Sequence, residues 1–200
     1  NTTGGGNIAL GFKALENTTQ GSGNIAIGRS AGASNTIASN NIFIGVETGS
    51  NFGRYSASNG NVVLGNYTVS LENSLLARSN TLIGSFIDVA GGNNVVLGSG
   101  ARAYQVNPSN VSKNIDNAIA IGYQAHATAS NTIQLGNSAI TDVITSGTVS
   151  TTGGVLTSGT VTATSFVGDG SGLTNLPSSS LNASTTARLS EIFIQPHEVT

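Results

Sequence analysis

Asn24-Ile25-Ala26-Ile27-Gly28 is followed 17 residues later by Asn41-Ile42-Phe43-Ile44-Gly45, and the same phrase returns through most of the chain. Its form is Asn, apolar, any residue, Ile or Leu, Gly. Earlier and later copies are Asn7-Ile8-Ala9-Leu10-Gly11, Asn61-Val62-Val63-Leu64-Gly65, Asn80-Thr81-Leu82-Ile83-Gly84 and Asn94-Val95-Val96-Leu97-Gly98. Two more, Ala118-Ile119-Ala120-Ile121-Gly122 and Thr132-Ile133-Gln134-Leu135-Gly136, carry their Asn one place earlier, at Asn117 and Asn131. Self-similarity at a short period is the signature of stacked repeat architectures.

Counted from each glycine, positions −3 and −1 are β-branched or Leu in nearly every copy, which is the period-two alternation of a strand. Both side chains then face one way, and Ile8, Leu10, Ile25, Ile27, Ile42, Ile44, Val62, Leu64, Ile83, Val95, Leu97, Ile119, Ile121, Ile133 and Leu135 are the expected core, with Thr81 the polar exception. Three residues past the glycine stands a small or modest side chain, Ala14, Ala31, Thr48, Thr68, Ala101, Ala125 or Ala139, with Ile87 the outlier. Between the two segments, Gly11, Gly28, Gly45, Gly65, Gly84, Gly98, Gly122 and Gly136 are read as corners, since glycine reaches positive φ without a Cβ clash. The Asn before each strand suits an amide ladder from coil to coil. Successive corner glycines lie 17, 17, 20, 19, 14, 24 and 14 residues apart. Fourteen is the bare coil and the excess is inserted loop, the largest running from Asn51 to Gly60, Leu71 to Ser79 and Tyr104 to Asp116.

Composition agrees. Charged residues make up 8% and aromatics 5%, while Gly reaches 27 and Asn 23, so bulky material for a conventional core is scarce. A coil offering about two large apolar side chains does not offset the entropy of ordering its backbone. Stacking supplies part of the missing burial, and identical chains packed around a shared axis are expected to supply the rest.

The run Asn117-Ala118-Ile119-Ala120-Ile121-Gly122-Tyr123-Gln124-Ala125-His126-Ala127 resembles the head repeat of YadA-like trimeric autotransporter adhesins, and the likeness extends over about residues 6–143. The resemblance implies a left-handed parallel β-roll in each chain, three such rolls in a head, and adhesion to host or matrix surfaces. The spacing here is looser than the tight family repeat.

After Thr141 the period becomes six: Val143, Val149, Val155, Val161 and Val167 share it with Gly147, Gly153 and Gly159. One inward β-branched residue and one small corner per hexad suit a thin β-helix or a β-prism of three interwoven chains, with Val149, Val155 and Val161 as its core. Ala163-Thr164-Ser165-Phe166-Val167-Gly168-Asp169-Gly170-Ser171-Gly172-Leu173-Thr174-Asn175-Leu176-Pro177 resembles a connector of phage tail fibres and secreted fibre proteins. Its Gly168–Gly172 turn lacks the Lys-Ser/Thr ending of a phosphate loop, and its lone Asp169 offers too few hard ligands for calcium.

The expected organisation is therefore all-β and homotrimeric. Residues 1–142 form a β-roll or β-helix solenoid of about eight coils, 143–177 a thin trimeric stalk, 178–187 a Ser/Asn/Thr linker, and 188–200 the start of a further module. With Asn1 at its start and no Met, the chain reads as cut or processed from a longer protein.

Chemistry is sparse. There is no Cys, His126 and His197 are far apart, and the carboxylates, among them Glu47, Glu72, Asp88 and Asp116, are scattered. No catalytic residue, metal ligand or cofactor is expected. His126 is expected as a solvated side chain. The Asn-x-Ser/Thr sites at Asn17, Asn66, Asn110 and Asn182 carry little weight in so Ser/Thr-rich a chain. A net charge of −2 gives no footprint for nucleic acid, and no apolar run is long enough for membrane insertion.

The expected partners are further copies of the chain and a cell-surface glycan or protein, with the fibre outside the cell, on a bacterial surface or a virion tail. A purely structural spacer and a fibre-borne glycan hydrolase are the alternatives. Phe52, Arg54, Tyr55 and Tyr104, in or beside the insertions, are the candidate ligand contacts, because aromatic and Arg side chains anchor interfaces. Tyr67, Phe86 and Tyr123 follow corner glycines. Replacing Arg54 and Tyr55 together by Ala is expected to lower cell or glycan binding with assembly intact, and undiminished binding rejects this loop.

Overall fold

The computed structural model describes residues 3–49, 58–70, 77–106, 112–162 and 164. The chain divides into two compact units, Asn1–Thr145 and Ser146–Thr200.

In the first unit all regular structure among the described residues is β, with no helix. Every copy of the repeat contributes one three-residue strand: Ile8–Leu10, Ile25–Ile27, Ile42–Ile44, Val62–Leu64, Thr81–Ile83, Val95–Leu97, Ile119–Ile121 and Ile133–Leu135. These eight form one parallel sheet in chain order. A second parallel sheet stacks the two-residue strands Val69–Ser70, Asp88–Val89, Arg102–Ala103 and His126–Ala127. Strands of successive copies lie side by side on two walls, and the unit is a β-solenoid.

Stacking uses the backbone first. Each corner glycine from Gly28 to Gly136 donates its amide to the carbonyl of position −1 in the coil before, as in Gly28 N to Leu10 O at 2.8 Å and Gly136 N to Ile121 O at 2.7 Å. The corner glycines therefore touch one another. At Gly65, φ is 142°, and a Cβ there would collide with the Gly84 carbonyl oxygen. Space and dihedral both demand glycine at this point.

The asparagines form a continuous internal ladder. Asn24 donates from its backbone amide (2.8 Å) and Nδ2 (3.1 Å) to Asn7 Oδ1, Asn41 does the same to Asn24, Asn61 to Asn41, and Asn80 to Asn61. The Asn94 amide continues it to Asn80 Oδ1, and the Ala118 amide closes it on Asn94 Oδ1, both at 2.9 Å. Second Nδ2 bonds reach loop carbonyls, as from Asn24 to Ala38 O (2.9 Å) and Asn94 to Ile115 O (2.7 Å). These amides are buried and matched, the condition under which a polar core residue is tolerated.

Asn117 and Asn131 are not displaced members of this ladder. They occupy the preceding position, which is left-handed in every copy: Gly6, Gly23, Asn40, Gly60, Ser79, Asn93, Asn117 and Asn131 all have φ between 55° and 72°. Asn and Gly tolerate that conformation best.

Inside and outside are reversed relative to the sequence expectation. In the six strands from Ile25–Ile27 to Ile119–Ile121 the middle residue points into the coil: Ala26, Phe43, Val63, Leu82, Val96 and Ala120 are fully buried, as are Ala31, Ile87, Ala101 and Ala125 at position +3. Ile8, Leu10, Ile25, Ile27, Ile42, Ile44, Val62, Leu64, Ile83, Val95, Leu97, Ile119, Ile121, Ile133 and Leu135 are half-buried or exposed and stand on the outer face. The physical reason is width. Two facing walls a few residues long leave room for one side chain from each, and where the inner residue is large its neighbours shrink. A Cβ on Gly32 or Gly49 would strike the Phe43 ring.

The third large insertion carries structure of its own, an antiparallel hairpin of Gln105–Val106 with Ser112–Lys113. In the second unit the described residues 146–162 hold no strand. Bends fall at Gly147, Gly153 and Gly159, and Thr151 Oγ1 to Gly153 O and Thr157 Oγ1 to Gly159 O repeat at 3.2 Å six residues apart. Val149, Val155 and Val161 are exposed and form no core among the described residues.

Gly65→Ala is expected to cost more than about 2 kcal/mol of stability from strain and collision. Gly5→Ala, where a Cβ meets nothing within 4 Å, should stay within about 0.5 kcal/mol. Urea unfolding of the two variants makes the comparison.

Candidate functional site

In-register stacking turns positions −3 and −1 into two outward columns. One is Ile8, Ile25, Ile42, Val62, Thr81, Val95, Ile119 and Ile133, and the other Leu10, Ile27, Ile44, Leu64, Ile83, Leu97, Ile121 and Leu135. Neighbours within a column shield each other, which leaves Ile44, Ile83 and Ile121 about 40% exposed (39%, 43% and 40%) in mid-sheet. All but Thr81 are aliphatic. Together they make a contiguous apolar face on the described surface.

Beyond the corner a further column bends outward. Position +2 is left-handed in seven copies, at Lys13, Ser30, Glu47, Tyr67, Phe86, Gly100 and Gln124. Bulky side chains are rare in this conformation. Tyr67 and Phe86 nonetheless sit there, with rings stacked at 5.4 Å and 9° and both exposed. Arg29 and Glu47 form an ion pair of 2.7 Å between adjacent coils, and Tyr123 is exposed.

Of the candidate ligand contacts, Phe52, Arg54 and Tyr55 lie outside the described residues, as do Glu72, Asp169 and His197. Tyr104 is half-buried at the base of the inserted hairpin, where its ring lies 5.0 Å from that of His126. His126 Nε2 donates to the Tyr104 carbonyl at 2.9 Å, which assigns the proton to that nitrogen. His126 is thus a half-buried tie and not the solvated side chain expected of it, because its strand pairs with Arg102–Ala103 and Tyr104, next in the chain, lies against its ring.

Carboxylates are engaged separately. Asp116 Oδ1 accepts from the Gly92 amide at 2.6 Å, and Asp88 lies 3.4 Å from Arg102 on the second sheet. No group of three or more His, Asp or Glu side chains converges among the described residues.

The fold and these surfaces define a repeat protein of the parallel β-solenoid class. No family model, curated protein or solved structure matches the chain.

Burial holds the Asp88 carboxyl above its ordinary value, and the Arg102 guanidinium works in the opposite direction. A raised acid stabilises the fold while protonated, so its contribution is full below the unfolded pKa and is lost as pH rises through the folded one. Asp88→Asn should flatten the fall of melting temperature that the parent shows as pH rises above the ordinary carboxylate value of about 4. Superimposable profiles would contradict this.

Proposed function

We propose that the chain is a non-enzymatic segment of a homotrimeric extracellular fibre that binds a glycan or protein on a target surface. One observation carries the reading: the aliphatic face of the eight-stranded sheet is left uncovered by any other described residue of its own chain, with Ile44, Ile83 and Ile121 exposed at its middle. Lipid and small apolar ligands fit it poorly, because the face is a flat lattice with the regular pitch of stacked strands, about 4.8 Å. Another copy of the same chain has the same pitch and the same two aliphatic columns. Closed rotational symmetry brings equivalent faces together around one axis.

The exposed valines at 149, 155 and 161 support the same arrangement in the hexad segment, since no described residue of the chain covers them. The number three, the surface location and the adhesive role draw support from the likeness to trimeric adhesin heads and fibre connectors. In such a trimer the aliphatic faces become the common core, and the Tyr67–Phe86 corner remains available to a target.

The double variant Ile83→Asp, Ile121→Asp tests this reading. Each side chain is only about 40% exposed in the single chain, so a folded monomer should lose about 1–2 kcal/mol per site from reduced aliphatic cover and the poor strand propensity of Asp. Buried at a shared axis, each aspartate would meet its own symmetry mates. Multi-angle light scattering is expected to show a trimer for the parent and dissociated or unfolded chain for the variant. A parent that is monomeric, or a variant that assembles unchanged, overturns it.

A further inference from the structure

A second side-chain column, two residues before the asparagine ladder, also ties coil to coil. The Gly5 amide donates to Ser22 Oγ (3.2 Å), the Ser22 amide to Ser39 Oγ (3.0 Å) and the Ser39 amide to Asn59 Oδ1 (2.7 Å). Further along, the Gly92 amide donates to Asp116 Oδ1 (2.6 Å) and the Asp116 amide to Ser130 Oγ (3.0 Å). Between Asn59 and Gly92 the column breaks, because Arg78 has no acceptor to offer and Gly92 has no side chain. A cavity of about 450 Å³ opens at the break, lined by Arg78, Gly92, Asn93, Asn114 and Asp116.

The break also holds a charge with no ion-pair partner among the described residues. Four cationic side chains are described. Lys13 pairs with Glu16, Arg29 with Glu47 and Arg102 with Asp88, whereas Arg78 has no ion pair among the described residues. The one unpaired guanidinium among them thus lines a cavity whose other walls are two amides, a carboxylate and backbone.

We propose that this cavity is a subsite for an acidic sugar, with the sugar carboxylate on Arg78 and its hydroxyls on Asn93, Asn114 and Asp116. The planar guanidinium matches a carboxylate in two parallel hydrogen bonds. The Asn amides donate and accept, as a ring of hydroxyls requires, and Asp116 only accepts. Asp116 repels the ligand's anionic group and so directs it to the Arg78 end. The volume lies within the ~300–1,000 Å³ of small-ligand sites, and the polar lining disfavours an apolar guest. A neutral sugar would leave Arg78 unpaired. The inference rests on the chain being a surface-binding fibre and names the ligand class that one of its surfaces takes.

Saturation-transfer NMR on the assembled chain, with glucuronate, glucose and inorganic sulfate as probes, tests it against Arg78→Gln and Arg78→Lys. Glucuronate should bind saturably and glucose should not. Arg78→Gln should weaken glucuronate about tenfold or more, and Arg78→Lys, which keeps the charge without the fork, should weaken it less. Failure of glucuronate to bind, equal binding by Arg78→Gln, or sulfate binding as tightly as glucuronate each overturns the assignment. Retention of the parent and Arg78→Gln alike on surfaces coated with neutral polysaccharide would leave the adhesive reading standing and remove only this subsite. Retention on no coated surface, acidic or neutral, counts against the adhesive reading itself.

Discussion

Parallel stacking in register is the constraint on which the rest of this structure depends. Every coil must hand its backbone amides and carbonyls to the coils on either side, because walls only two or three residues long have no other partners for them. Two columns follow directly. The corner glycines must be glycine because carbonyl and Cα of adjacent corners meet there, as at Gly65 and Gly84. The ladder asparagines must be amides because a buried side chain in a repeating column has to donate to one neighbour and accept from the other, as Asn41 does between Asn24 and Asn61.

The same constraint fixes what the interior can hold. Walls so short enclose a cross-section filled by one side chain from each, Leu82 with Ile87 or Ala120 with Ala125. Position −2 varies from Ala to Phe because adjacent positions absorb the difference, with Gly32 and Gly49 flanking the Phe43 ring. No space is left for positions −3 and −1, and the large aliphatics stand outside. An apolar lattice in water is an incomplete structure, and association of copies completes it in the function proposed here.

The period, the strands, the corner glycines and the amide ladder were all legible in the sequence, because each is dictated by local geometry: alternation at period two, positive φ, and an amide at a fixed offset. The sense of the alternation was not. Ile25 and Ile27 outweigh Ala26 in hydrophobicity, so a rule that buries the larger residues misses that Ala26 fills the coil interior of the single chain. The usable signal was the small residue at +3, Ala31, Ala101 or Ala125, which is small because it faces the residue at −2 across a narrow coil. Asn117 and Asn131 stand one column away from the buried ladder, where Asn117 Nδ2 donates to Asn131 Oδ1 at 2.9 Å, and Asn occupies both columns side by side at Asn93 and Asn94. The Arg78 cavity was illegible because it depends on two absences in one column, the missing acceptor at Arg78 and the missing side chain at Gly92. The column itself becomes visible only once the coils are stacked.

The chain contains no cysteine, so single cysteines placed at Val62, Val63 and Leu64 report on both faces of one strand without background. Thiol labelling rates should separate the three positions. Cysteine at 63 should stay protected at every concentration at which the coil is folded, while 62 and 64 should be protected in the assembled protein and should label rapidly once the copies are diluted apart. Rapid labelling at 63 with 62 and 64 protected in a solitary folded chain would contradict the account.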